Sequence, residues 1–332
     1  MNTTEIQEIL DSCSSPHVDW GYTDVTEAQS FDHFDEWLKL GKHGGLKYLS
    51  DHRKDLRDDL SSVFPNCQSA LVFLFSYAEQ KHISDDYVVE KGPKLSGYVT
   101  GFDGKDYHFV IGSYLEEIAE KLSANIAGLG TKLTLDIHPV LERDLAYRAG
   151  LGWFGKNSML IGKAHGSYTL IGSILLDQKL EIENVPFEVD HCGRCKACAE
   201  ACPTLAIDPE TRTIEANKCI SNYTIETFKD VAPLENHQNS NGEVFGCDIC
   251  QEVCPWNKKQ CFDIDPMKIE NFEEKNSLIM EYFYQGSMED SYLKFEKLSN
   301  RGFKDTFKFT PIARTGKKGL LKNFRSLMSA SQ

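Results

Sequence analysis

Cys192-Gly-Arg-Cys195-Lys-Ala-Cys198-Ala-Glu-Ala-Cys202-Pro203 and, further on, Cys247-Asp-Ile-Cys250-Gln-Glu-Val-Cys254-Pro255 are the two runs that decide how this chain is built. The first is C-x2-C-x2-C-x3-C-P in full, a spacing that holds [4Fe–4S] clusters. The second supplies the last three cysteines of that pattern, and its missing first cysteine would fall at Val244. Cys219 lies between the runs and can fill the vacancy through space. The short gaps let a turn of backbone meet successive corners of a cube, and each proline turns the chain away.

The ligand arithmetic then closes. In two-cluster bacterial ferredoxins the fourth cysteine of each run serves the other cluster. One cluster therefore takes Cys192, Cys195, Cys198 and Cys254, and the other takes Cys202, Cys219, Cys247 and Cys250. Zinc also binds paired Cys-x2-Cys, but seldom through four cysteines in one such run ending in proline. A disulfide framework suits small secreted chains.

The chain has 332 residues, 41% of them hydrophobic, enough for two or three domains. Its longest apolar run, Ser69 to Ser76, is of strand length, so no membrane association is expected. Met1-Asn-Thr-Thr-Glu5 has neither the charged nor the apolar region of an export signal, which points to the cytoplasm. Cys13, Cys67 and Cys261 are left over as ordinary thiols. A net charge of −14 disfavours a nucleic-acid partner for the chain as a whole. Residues 306 to 332, however, carry Lys308, Arg314, Lys317, Lys318, Lys322 and Arg325 and no acid. Such a basic tail either binds phosphates or is simply solvated.

Read in order, residues 1 to 45 are expected to be helical, with Phe31, Phe34, Trp37 and Leu38 at helical spacing. Ala70 to Phe75 reads as a buried strand, and residues 79 to 105 as a long loop. Asp106 to Ile126 is an amphipathic helix, Lys132 to Asp136 a short strand, and Leu141 to Ala149 a helix stopped by Gly150. Strands near Ser158 to Ile161 and Tyr168 to Leu176 complete a mixed domain. The expected division is an α/β or α+β catalytic domain over 1–176, a two-cluster, bacterial ferredoxin-like domain over 177–265, and a helical, basic tail over 266–332.

A bare electron carrier would need only some 60 residues, roughly the least that folds alone. The larger domain ahead of the clusters favours an enzyme with a cofactor of its own over a simple carrier or a purely structural iron–sulfur protein. No G-x-G-x-x-G follows a strand, and Gly152-x-x-Gly155-Lys156 is only half a phosphate loop. Asp136-x-His138 matches the start of the cobalamin motif D-x-H-x-x-G, but Leu141 stands where the glycine should be. His138 then reads as a satisfied histidine at a strand end. Asp136, ahead of a turn, is placed where ligands bind in α/β sheets, and in an apolar site it could carry a proton at neutral pH.

Several ordered stretches carry a family resemblance. They are Leu135-Asp136-Ile-His-Pro139-Val-Leu-Glu142-Arg143, Ala149-Gly-Leu-Gly-Trp-Phe-Gly155-Lys156-Asn157, Gly166-Ser167, the cysteine runs, Cys219-Ile-Ser221 with Thr224-Ile-Glu226, and Gly246-Cys247-Asp248 through Trp256-Asn257. Together they resemble the epoxyqueuosine reductases, with gaps, from about residue 30 to 325. The resemblance implies reduction of the epoxide of epoxyqueuosine, at the wobble position of a tRNA, to queuosine. It implies base-off cobalamin, two [4Fe–4S] clusters fed by an external electron donor, and a nitroreductase-like N-terminal domain similar to that of reductive dehalogenases.

By motif position the resemblance makes Asp136 the proton donor and Arg57 a cobalamin contact. Ser221, Cys247 and Asp248 would face the corrin, Leu160 and Ile171 would offer backbone contacts, and Ser96 is a further contact. Long family members carry helical repeats that hold tRNA. Those repeats are not matched here, so tRNA contacts are expected to rest on the basic tail. Residues 102 to 106 resemble a short insertion, and Ile137 and His138 replace the usual small residues after the acid. The alternative is a cytoplasmic, reductive dehalogenase-like enzyme using the same cofactors on a small molecule.

Overall fold

The computed structural model describes residues 1–13, 18–261 and 271–329. The expected boundary at 265/266 and the side chain of Cys261 lie outside the described residues. In chain order, the first part runs through α1 (Thr3–Asp11), β1 (Val18–Thr23), α2 (Phe31–Lys39), β2 (Ser69–Ser76), α3 (Ala78–Asp86), β3 (Lys94–Leu95) and α4 (Tyr107–Asn125). It continues through β4 (Thr131–Thr134), α5 (Glu142–Arg148), β5 (Trp153–Phe154), β6 (Leu160–Ile161) and β7 (Thr169–Leu176). The cysteine-rich part holds α6 (Ala197–Ala201), β8 (Ile207–Asp208), β9 (Thr213–Ile214), α7 (Ile220–Ile225), β10 (Glu243–Phe245), α8 (Ile249–Glu252) and α9 (Pro255–Cys261). The last elements are α10 (Phe272–Lys275), α11 (Ser277–Ile279) with a π-turn over Met280–Tyr284, α12 (Met288–Lys297), α13 (Asn300–Phe307) and α14 (Gly316–Met328).

The chain forms two compact units, each discontinuous in sequence: Met1–Ser76 with His108–Arg194, and Tyr77–Tyr107 with Cys195–Gln332. The first is built on a sheet of order β1-β2-β7-β4 in which every neighbouring pair is antiparallel. It is therefore an α+β sheet, and the strand-end rule for parallel α/β sheets does not apply to it. β2 is apolar from Ala70 to Phe75 because both its faces are covered. Ala70, Val72 and Leu74 pack with Leu145, Ala146 and Ala149 of the α5 region on one face. On the other face, alternate positions meet α4, with Phe75 edge-on to Tyr114 at 5.7 Å. Gly21 on β1 has no room for a side chain, since a Cβ there would strike the carbonyl oxygen of Ala149.

Two expectations for the N-terminal half are corrected. Residues 1 to 45 are not helical throughout, because Val18–Thr23 forms an edge strand against β2. Residues 79 to 105 are not a loop either; they contain α3 and β3, and β3 pairs in parallel with β10. The polar look of α3 hid it, since its inward residues include Lys81, which is buried through ion pairing.

The C-terminal segment is also not a solvated tail. Phe307, Ile312, Leu320 and Phe324 are fully buried in one cluster with Phe245, Phe283 and Phe295. The rings of Phe295 and Phe307 lie 5.5 Å apart, and those of Phe295 and Phe324 5.8 Å apart. Most of the basic side chains are used inside the second unit. Arg314 bonds Glu226 at 3.0 Å, Arg325 bonds Asp230 at 2.8 Å, and Lys317 and Lys322 donate to main-chain carbonyls. The apolar positions between the lysines decide the outcome, because burying them outweighs exposure of a few neutralised charges. Replacing Phe324 by Ala is expected to destabilise the second unit by about 3–5 kcal/mol. A urea melt followed by aromatic fluorescence measures it, and an unchanged midpoint would show that this ring does not support the core.

Candidate functional site

In the second unit the cysteines sit on short elements. Cys198 is on α6, and Cys202 ends it in extended conformation ahead of Pro203. Cys219 is the N-cap of α7, Cys250 lies on α8, and Pro255 after Cys254 starts α9. No disulfide joins any of the described cysteines. Backbone amides point at the sulfurs: Ala206 donates to Cys202 Sγ at 3.3 Å, Asn222 and Ser221 donate toward Cys219, and Ile249 toward Cys247. Burial raises the thiol pKa values of Cys219, Cys247 and Cys250. The charge of Cys219 bears on both Cys247 and Cys250, and those of Cys198 and Cys202 on Cys250, so these sulfurs share one region. Partly buried thiols ringed by amide donors suit iron–sulfur ligation, in which the metal displaces the thiol protons.

Asp248 and Ser96 are brought together. Ser96 Oγ donates to Asp248 Oδ1 at 2.7 Å, and the Gly97 amide donates to Oδ2 at 2.7 Å. Burial raises the Asp248 pKa, and Lys81 opposes that rise. Gly246, at φ 74°, passes so close to Ser96 that a Cβ would overlap it. Ser221, on α7, is half-buried. Sequence reasoning missed Lys81. It is buried and bonds Asp85 at 2.5 Å and Glu252 at 2.9 Å. Burial works against its ammonium, but the charges of Asp248, Glu252 and Asp85 outweigh that and raise its pKa. The i,i+4 spacing of Lys81 and Asp85 was the available signal.

In the first unit Asp136 lies two residues beyond the end of β4, in a tight turn with φ 44°. Its side chain is 64% exposed, and Oδ2 stands 3.9 Å from His108 Nε2. Ile137 beside it is 71% exposed. A carboxyl next to an exposed apolar side chain is a surface that suits a large, partly apolar cofactor or substrate. The Asp136 amide donates to Glu142 Oε1. Glu142 is half-buried, and its pKa is pushed up to about 8, first by burial and then by the charge of Asp136. Arg143 opposes that shift. The sequence reading quoted Glu142 without giving it a role, because spacing alone does not reveal a buried carboxyl.

His138 takes the satisfied role expected of it. Its Nδ1 accepts from the Leu135 amide at 3.4 Å, and burial lowers its pKa. Arg57 is buried, donates to the Arg53 carbonyl at 2.6 Å and lies 5.9 Å from the Phe34 ring. Leu160 is core, with Ile171 packed against the same cluster.

Residues 191–257 match the model of a 4Fe-4S double cluster binding domain. The class of the protein is therefore that of double-cluster iron–sulfur proteins. Residues 57–136 match the model described as epoxyqueuosine reductase QueG, DUF1730. The chain is 32% identical to the epoxyqueuosine reductase of Cyclobacterium marinum over 97% of both chains. It is 34% identical to that of Leadbetterella byssophila over 87% of this chain and 86% of the other. The chain belongs to the epoxyqueuosine reductase family. Its fold is similar to the solved epoxyqueuosine reductase of Streptococcus thermophilus, with a TM-score of 0.75 at 24% identity, covering 98% of this chain and 80% of that one. It is equally similar to one solved with a tRNA-Tyr epoxyqueuosine-modified stem loop, with a TM-score of 0.74 at 23% identity, 98% of this chain and 80% of that one being covered. No described helix is long and apolar enough to cross a membrane.

Glu142 gives a pH prediction. Its folded pKa of about 8 lies above the ordinary glutamate range, so the folded state holds an extra proton between the two values. That contribution to stability is full below the unfolded pKa and is lost as pH rises toward 8. Glu142→Gln, which cannot ionise, is expected to flatten the fall in urea midpoint over that window. A slope equal to that of the wild type would assign it to another group.

Proposed function

We propose that this chain is an epoxyqueuosine reductase that converts the epoxide of epoxyqueuosine, in a tRNA, to the alkene of queuosine. The overall change is epoxide plus two electrons and two protons to alkene plus water. What carries the reading is one combination in a chain of this family: cysteines at double-cluster spacing, and an acid displayed to solvent at Asp136. The small-molecule, dehalogenase-like alternative is not favoured, since the relatives that match end to end are epoxyqueuosine reductases.

Two [4Fe–4S] clusters are supported by the double-cluster domain. The proposed ligands are Cys192, Cys195, Cys198 and Cys254 for one, and Cys202, Cys219, Cys247 and Cys250 for the other, in a ferredoxin-like arrangement. Base-off cobalamin is the further cofactor proposed. By motif position the residues proposed to contact it are Arg57, Ser96, Asp136, Leu160, Ile171, Ser221, Cys247 and Asp248. When bound, these groups supply single electrons and a low-valent cobalt centre.

The protein's own share is proton supply and orientation. Asp136 holds its carboxyl on a fixed turn and gives a proton to the oxygen released as the epoxide opens. The buried pair of Ser96 and Asp248 fixes the backbone beside the second cysteine run. Its satisfied oxygens leave that segment little freedom to shift. An external donor supplies the electrons, and a cytoplasmic setting keeps the unused thiols reduced.

Asp136→Asn, with iron and corrinoid contents intact, is expected to lose roughly a hundredfold or more in turnover of epoxyqueuosine-containing tRNA, scored by nucleoside mass analysis. Turnover at the wild-type rate would remove Asp136 from the chemistry. Cys219→Ala is expected to lower iron from about eight to about four atoms per chain, because only the cluster on Cys247 and Cys250 loses a ligand. A full iron complement would refute that assignment.

A further inference from the structure

We propose that Glu142 is a positioning residue, a clamp that holds the Asp136 turn in the left-handed conformation from which its carboxyl is presented. The inference rests on the reading of Asp136 as proton donor, and it starts from the backbone. Asp136 has φ 44°, a region that non-glycine residues enter at a cost. Something must hold it there. Its amide donates to Glu142 Oε1, six residues further on. The Ile137 amide also donates across Asp136 to the Leu135 carbonyl, and the rest of the turn leans on His138, whose Nδ1 accepts from the Leu135 amide and whose carbonyl accepts from the Val140 amide at 2.8 Å.

Glu142 can act as a clamp because it is itself fixed. It is the first residue of α5, and α5 is anchored by Leu145 and Ala146 in the core. Within the same helix the buried Arg148 bonds Asp144 at 2.7 Å, and Asp144 also accepts from the Ser30 amide at 2.7 Å. Arg143, next along, donates to the carbonyl of Ser158. The turn is thus tied to a helix that cannot move without disturbing the core. An acid in the first helical turn is ordinary, since it favours the helix dipole. The hydrogen bond to the amide of the one residue that carries the exposed acid is not explained by that. The groups facing Glu142 are Asp136 and Arg143, with His108 close to Asp136. In its protonated form Glu142 still offers a carbonyl oxygen as acceptor, and so would glutamine.

The test uses full-length protein with clusters and cobalamin reconstituted, as wild type, Glu142→Ala and Glu142→Gln. Hydrogen exchange at the Asp136 amide is read alongside turnover and KM for an epoxyqueuosine-modified stem loop. Glu142→Ala is expected to speed exchange at that amide and to lower kcat roughly tenfold to a hundredfold, with KM little changed, as misplacement of a catalytic group does. Glu142→Gln is expected to restore both readouts, and iron content checks that each variant folds. Unchanged exchange in Glu142→Ala, or a Glu142→Gln variant as impaired as Glu142→Ala, would overturn the clamp. So would faster exchange with intact turnover while Asp136→Asn is inactive. An active Asp136→Asn variant would instead bring down the reading of the acid, separately from the exchange result.

Discussion

Asn323, fully buried on the last helix, donates one side-chain amide to two carbonyls, Thr224 at 2.8 Å and Val244 at 2.9 Å. One of these carbonyls ends the helix that begins at Cys219, and the other is on the strand that leads into Cys247. The preceding residue, Lys322, donates to Tyr223 and Thr227 at the same helix end. A cube of iron and sulfur tolerates little error in the placement of its ligands. Ligands drawn from distant parts of a chain can meet that demand only if the segments between them are pinned. The pin here is a polar pair set in an aromatic core, where the Thr224 and Val244 carbonyls would be costly to leave unpaired. The buried, neutral His237 adds a third tie, from Ser326 to the carbonyl of Glu243.

The same logic explains why some of this was legible in the sequence and some was not. Cysteine spacing is local, so the runs could be read directly, and counting alone exposed the vacancy for which Cys219 is proposed. β2 was legible because both its faces are apolar, and α4 because its apolar stripe keeps helical period. The C-terminal core was not, because lysines crowd the eye while Phe307, Leu320 and Phe324 sit quietly between them. α3 was hidden for the opposite reason. Its largest buried residue is a lysine, and only its carboxylate partners, one of them far along the chain, make that tolerable. Asp136 was found by its place after a strand, yet the antiparallel sheet removes the rule first used to justify it. What distinguishes it in the structure is its left-handed turn and the half-buried glutamate that accepts from its amide.

Charge is handled differently in the two units. In the second, carboxylates near the cysteines are balanced by one buried lysine and by amide donors. In the first, Arg143 only partly offsets the burial that raises the pKa of Glu142. A glutamate of raised pKa beside an exposed aspartate is an arrangement suited to proton chemistry. A buried lysine among carboxylates is one suited to keeping a cluster segment still.

The detour from Tyr77 to Tyr107 has a consequence for biosynthesis. β3 lies within it, and its strand partner β10 is translated about 150 residues later. At ribosomal speeds that is a wait of roughly 8–30 s during which the early segment of the cluster unit has emerged without its mate. A two-residue strand offers nascent neighbours very little edge to latch onto. The brevity of that strand is thus a safeguard on the polysome as well as a detail of the finished sheet.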